Sequence, residues 1–169
     1  MNLNIKRTIF AILTIATCII IFIFSNQNGE KSGLTSRGFV RKIVEITGIT
    51  NNLNETEKEE LIEKCQFVVR KLAHFSIYTV VGVLMMSLMS TYKLKQNKRI
   101  WISLIVGVLY ASSDEIHQYF VPGRSARVFD VMIDSAGVCL GICIVIFVLW
   151  IARKVMERKR GENREVREI

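Results

Sequence analysis

Proline is nearly absent from this chain: Pro122 is the one copy in 169 residues. Cysteine is sparse too. Cys18, Cys139 and Cys143 fall inside apolar stretches and only Cys65 lies outside them, which argues against a disulfide framework. Cys139 and Cys143 stand four apart on one helical face and are read as small packing residues rather than as a soft-metal site. The chain has no His-Glu-x-x-His, no glycine-rich phosphate loop, no Gly-x-Ser-x-Gly elbow and no Cys/His zinc spacing. The usual signatures of metalloproteases, nucleotide enzymes and serine hydrolases are therefore missing. No cofactor is identified and no metal ligand is assigned. Acidic residues are outnumbered, 15 against 23 Lys and Arg, for a formal charge of +8.

What is abundant is hydrophobicity. Half of the residues are hydrophobic, and they fall in blocks rather than at helical or strand periods. Blocks of this kind argue membrane spans. Four are expected, over roughly 8–24, 72–90, 100–120 and 128–151, followed by a basic tail at 152–169. The fold expected is all-α and integral to the membrane: four transmembrane helices, an amphipathic outer segment and a single domain over 1–169. Lys6 and Arg7 before the first block resemble a signal peptide, but no small-x-small cleavage site follows, so an uncleaved span is expected.

Basic residues then orient the spans. Lys6 and Arg7, the loop holding Lys93, Lys95, Lys98 and Arg99, and the tail from Arg153 to Arg167 all fall on one side of a four-span chain. That side is expected to be cytoplasmic, with both termini inside a multi-pass cell-membrane protein. The positive charge is read as topology plus attraction of the tail to anionic lipid, and not as nucleic-acid binding.

The long first loop carries its own pattern. Phe39, Val40, Ile43, Val44 and Ile46 recur at helical spacing, with Ser36 able to cap the start and Gly48 the end. This predicts a short amphipathic helix over 36–47 on the outer membrane surface. Asn54 and Glu57 stand at capping-box spacing, opening a second helix that continues unbroken into the second span.

Polar residues interrupt the apolar blocks at one level. An ionised Asp near the bilayer centre costs roughly 2.5–3.5 kcal/mol, so Asp114 and Glu115 need a reason to be there. Counted from Ile100, Asp114 lies about 21 Å along its helix, in the outer leaflet. It shares a face with Gln118, four residues on, while Glu115 points about 100° away. Lys71, His74 and Tyr78 form a stripe on the second span, and Asp130 and Asp134 share a face of the fourth. That face continues through Gly137 and Gly141, a spacing that lets helices approach closely and could join two copies as a homodimer. Tyr78, Tyr110, Tyr119, Trp101 and Trp150 are read as packing or interfacial aromatics. Arg127 is read as a helix-end snorkel, and His117 ranks below His74.

The stretches RKLAHFSIYTVVGVL and SSDEIHQYFVPGRSARVFDVMIDSAGVCLG resemble the VanZ-like membrane proteins. The matching positions are Lys71, His74, Asp114, Glu115, Gln118, Arg124 and Asp130, and FSNQNGEKSG is similar to that family's polar exit from the first span. Asp134 departs from the pattern, where Asn is common. The resemblance implies a protein of the cell envelope, associated with resistance to the glycopeptide teicoplanin.

Two functions are expected from these residues. In the first, Lys71, Gln118, Arg124 and Asp134 bind a membrane lipid or a lipid-linked cell-wall precursor from the outer side. In the second, the same site is a hydrolase or transferase. His74 or Glu115 would then be the base, with Asp114 and Asp130 orienting it or holding a hard cation.

Overall fold

The computed structural model describes residues 2–49 and 53–165. Among them are five α-helices and no strand: α1 (Leu3–Ser25), α2 (Gly29–Thr47), α3 (Glu55–Ser90), α4 (Gln96–Tyr119) and α5 (Val128–Glu165). Three of these, α1, α3 and the Val128–Arg160 stretch of α5, are long and apolar enough to cross a membrane. The third expected span, α4, is not among them, because its polar C-terminal turns and basic first turn dilute a helix that is otherwise apolar.

Local chemistry sets the boundaries. Asn54 caps α3 as expected: its side chain accepts from the Glu57 N–H at 2.9 Å, and the Glu57 carboxylate accepts the Asn54 N–H at 3.0 Å. From there α3 runs 36 residues without a break, about 54 Å at 1.5 Å per residue. Gly48 ends α2 in the left-handed region, with φ 65°, where a side chain would strain. The start of α2 differs from the expected one. Ser36 lies inside the helix and its hydroxyl bonds back to the Ser32 and Gly33 carbonyls, so it caps nothing. The basic tail is likewise part of a helix: α5 continues to Glu165.

Contacts fix the running direction of each helix. Lys71, Phe75 and Thr79 of α3 face Asp130, Gly137 and Gly141 of α5, so these two run parallel. Tyr78 reaches Asp114 and Met86 meets Ser103, which makes α4 antiparallel to both. On α1, Arg7 binds Thr91 while Ser25 meets Gln118, so α1 runs with α4 and against α3. The core between them holds Ile21, Tyr78, Val81, Met86, Ala111, Val138 and Ile142.

Glycine makes the α3–α5 seam. A Cβ at Gly82 would meet the Val138 backbone, one at Gly137 the Phe75 carbonyl, and one at Gly141 the Thr79 carbonyl. The close approach expected of Gly137 and Gly141 thus occurs within the chain. The glycine face expected to join two copies is packed by α3 of the same chain. Cys139 and Cys143 are exposed on the opposite side of α5 rather than buried as packing residues.

The α2 helix folds back along the first half of α3. Val40 and Val44 bury against Ile62, and Arg37 and Arg41 both pair with Glu59. Phe39, Ile43 and Ile46 form a second apolar stripe on α2 that remains exposed. Large apolar side chains also face outward along the long helices, among them Ile12, Ile15, Phe24, Leu109 and Phe147. A continuous outward apolar belt suits a hydrocarbon surround rather than water.

Candidate functional site

The polar residues of α1, α3, α4 and α5 gather at the end of the bundle nearest α2. One chain of hydrogen bonds begins at Tyr78, fully buried, whose hydroxyl donates to Asp114 at 3.2 Å. The Gln118 amide donates to the same carboxylate oxygen at 3.0 Å and to the Ser25 hydroxyl at 3.0 Å. Arg124 donates to the Gln118 carbonyl oxygen at 3.1 Å. The same guanidinium reaches the Phe24 carbonyl at 2.8 Å and the Gln27 carbonyl at 3.0 Å. It therefore closes the C-terminal end of α1, where unpaired carbonyls attract a cation.

Two glycines allow this junction. The Gly29 N–H donates to the Pro122 carbonyl at 3.0 Å, and any Cβ on Gly29 would collide with the Gly123 backbone. Gly123 itself has φ 74°, which a side chain resists. The polar exit from α1 and the Pro-Gly-Arg turn are two halves of one joint.

A second set lies between α3 and the start of α5. Lys71 pairs with Asp130, an acid in the first turn of α5. Glu115 accepts the Arg127 N–H at 2.6 Å and so caps α5 from across the bundle. His74 Nδ1 lies 3.8 Å from Asp134 Oδ1, an ion-pair distance too long for a hydrogen bond. Asp134 is 1% exposed, and neither of its oxygens has a hydrogen-bond partner among the described residues. His117 packs its ring against Phe22, with centroids 4.7 Å apart and planes tilted by 30°.

Four of the residues proposed for catalysis or a hard cation, His74, Asp114, Glu115 and Asp130, are thus divided among separate partners. Among the described residues no group of three His, Cys, Asp or Glu side chains could hold a metal ion.

Beside these networks lies a polar hollow of about 280 Å³. Arg70, Lys71, Arg124 and Arg127 line it against only Glu63 and Asp130, with Gln66, His74 and Gln118 completing the wall. Of the residues expected to bind ligand, Lys71, Gln118 and Arg124 stand on this wall; Asp134 lies behind His74, off it. Burial first, then the nearby charge of Arg70, pulls the Arg124 guanidinium below its ordinary value. Arg70 itself makes no hydrogen bond or ion pair to the described residues. Sequence reasoning passed over Arg70, Gln66 and Ser25 and treated Tyr78 as packing. Spacing could have found two of them, since 66, 70 and 74 recur at i, i+4 on the face next to the 71/74/78 stripe. Nothing local singles out Ser25.

A larger, mostly apolar groove of about 570 Å³ runs between α1, α2 and α3, and it shares Arg70, His74 and Arg124 with the polar hollow. No curated protein and no solved structure matches the chain. The family model described as VanZ/LLP1 matches residues 10–150, which takes in α2, α3, α4, most of α1, the first part of α5 and the joint between them. The chain belongs to the VanZ/LLP1 family, a family associated with teicoplanin resistance.

Proposed function

We propose that this protein binds the anionic head of a lipid, or of a lipid-linked cell-wall component, at the extracytoplasmic face of the cell membrane. The observation that carries the reading is the polar hollow, where four basic side chains face two acidic ones and Arg70 makes no hydrogen bond or ion pair among the described residues. A half-buried site with surplus positive charge and an unpaired guanidinium suits phosphate or carboxylate.

The placement rests on topology. The parallel pair α3 and α5 both have the length and hydropathy to span, and α4 joins the far end of one to the near end of the other. The chain must return across the same thickness between them, so α4 is the fourth span, its carboxylates sheltered by Tyr78, Gln118 and the α5 N-terminus. The basic residues of 93–99 and 153–160 gather at the opposite end from the hollow. By the positive-inside bias that end and both termini are cytoplasmic, with the tail against anionic lipid. The exposed stripe Phe39, Ile43 and Ile46 then rests on the outer membrane surface. Protection from teicoplanin would follow from altered access to the antibiotic's wall target.

A second reading, hydrolysis or transfer at the bound head group, is favoured by one feature. His74 lines the hollow with its Nδ1 toward the buried Asp134, the relation of a base to its orienting carboxylate. Glu115 is taken up in capping α5 and is the poorer base.

The test is expression in a susceptible Gram-positive host, comparing wild type with Arg70→Gln and Arg127→Gln at equal membrane abundance. Wild type is expected to lower teicoplanin susceptibility and both variants to lose that effect. Variants that protect as well as wild type would remove the hollow from the function.

A further inference from the structure

We infer that the ligand is a long-chain phosphate amphiphile whose chain enters sideways into the groove between α1, α2 and α3 while its phosphate rests on Arg70. This deepens the head-group reading above and rests on it. The polar hollow and the apolar groove are not two separate sites: Arg70, His74 and Arg124 stand on the walls of both. A molecule occupying the two together must change from charged to apolar at that shared edge. Their volumes, about 280 and 570 Å³, are each near the range of roughly 300–1,000 Å³ common for ligand pockets.

The groove wall says what kind of molecule the apolar part belongs to. Ile20 and Phe24 of α1 and Ile77 of α3 belong to helices that cross the membrane, so that side of the groove faces hydrocarbon. Phe39 of α2 closes the other side. An acyl or isoprenyl chain reaches such a groove by lateral movement alone, whereas a water-soluble partner would have to cross the lipid boundary. The charge at the shared edge selects among lipids. Arg124 already has its donors on two carbonyls and Gln118, and Lys71 is paired with Asp130, so among the described residues Arg70 and Arg127 are the cations left for an incoming anion, and of these two only Arg70 also lines the groove. His74 beside it adds a donor on the chain side of the junction. A zwitterionic lipid fits less well, because its own ammonium would meet the same four basic residues.

The experiment places a fluorescent reporter in the groove. Phe39→Trp is made in a Trp101→Phe, Trp150→Phe background and reconstituted in phosphatidylcholine nanodiscs, with Phe24→Trp as a second reporter should the first fold poorly. A few mole per cent of chain-brominated phosphatidic acid or chain-brominated phosphatidylcholine is added. The brominated anionic lipid is expected to quench the reporter at least two-fold more than the zwitterionic one, and Arg70→Gln is expected to abolish that difference. In parallel, in a background with the four native cysteines replaced by serine, soluble short-chain phosphatidic acid is tested for protection of Ser125→Cys, on the wall of the polar hollow, from maleimide. Equal quenching by both brominated lipids, with Ser125→Cys still protected, overturns the chain placement and leaves the head-group reading standing. Equal quenching with no protection overturns both.

Discussion

Arg70 and Arg124 carry the same charge beside the same hollow, yet among the described residues one has partners and the other none. Arg124 holds three acceptors on two elements, so Arg124→Ala is expected to lower stability by about 2–3 kcal/mol, a loss of charge-assisted hydrogen bonds. Arg70→Gln breaks no bond to the described residues and is expected to shift stability by less than about 0.5 kcal/mol. Thermal melts of both variants in one detergent check the contrast; equal losses would show that Arg70 is a structural residue. Asp134 presents the opposite case. Its carboxylate is buried at the α3–α5 seam with no hydrogen bond to the described residues, a costly arrangement. Asp134→Asn keeps the shape and removes the charge, so it is expected to raise the melting temperature, by the equivalent of about 1 kcal/mol. A fall in melting temperature would mean that the His74 pair stabilises the fold rather than serving the site.

At the scale of elements, two contacts decide the architecture: the α3–α5 seam and the α2–α3 hairpin. In the seam, Gly141→Leu would drive a side chain into the Thr79 carbonyl and the Val83 amide, and backbone cannot give way as a flexible side chain can. The variant is expected to disappear from the membrane fraction on immunoblots. Gly38→Ala, with nothing within 4 Å of its added carbon, is expected to accumulate like wild type and gain about 0.5–1 kcal/mol. The hairpin instead depends on exposed charge. Hydrogen bonds from Arg37, then the charges of Arg37 and Arg41 and the Arg41 bond, hold the Glu59 carboxyl below its ordinary value. A lowered folded-state value means the contribution is full above the ordinary glutamate value of 4.5 and is lost as pH falls through the lowered one. Hydrogen exchange at the Val40 and Val44 amides, corrected for intrinsic rate, is expected to quicken below that pH and at high salt. Glu59→Gln should exchange quickly at every pH, and an unchanged profile in that variant would assign the docking of α2 to Val40, Val44 and Ile62 alone.

The whole molecule is a helix bundle with apolar side chains both in its core and facing outward, its buried carboxylates and amides gathered between the helices at one end. Its polarity is also lopsided along the axis, with the basic hollow at one end and the basic loop and tail at the other. Membrane-impermeant maleimide tests the orientation that follows. In a background with the four native cysteines replaced by serine, Ser125→Cys is expected to react in intact cells and Lys93→Cys only after the membrane is opened. The reverse pattern would turn the protein over and place the hollow in the cytoplasm.

Much of this was legible before any coordinates. Apolar blocks announced the long helices, because hydrophobic length is a property of the chain alone. The Asn54–Glu57 cap, the Gly48 stop and the Asp114–Gln118 pair follow from spacings of three or four residues, which a helix converts directly into contacts. The same rule placed Lys71, His74 and Tyr78 in one stripe. It could not say that the stripe reads two helices, with Lys71 and His74 meeting α5 and Tyr78 meeting α4. Nor could it join Gly29 to Gly123, set Arg124 on the carbonyls of α1, or isolate Asp134 behind His74. It sent the Gly137/Gly141 face to a second copy, where α3 of the same chain takes it. Sequence spacing determines which side chains share a helix face. Which faces then meet depends on the fit of ridges, glycine gaps and buried polar partners across elements up to a hundred residues apart, and that fit exists only once the helices are packed.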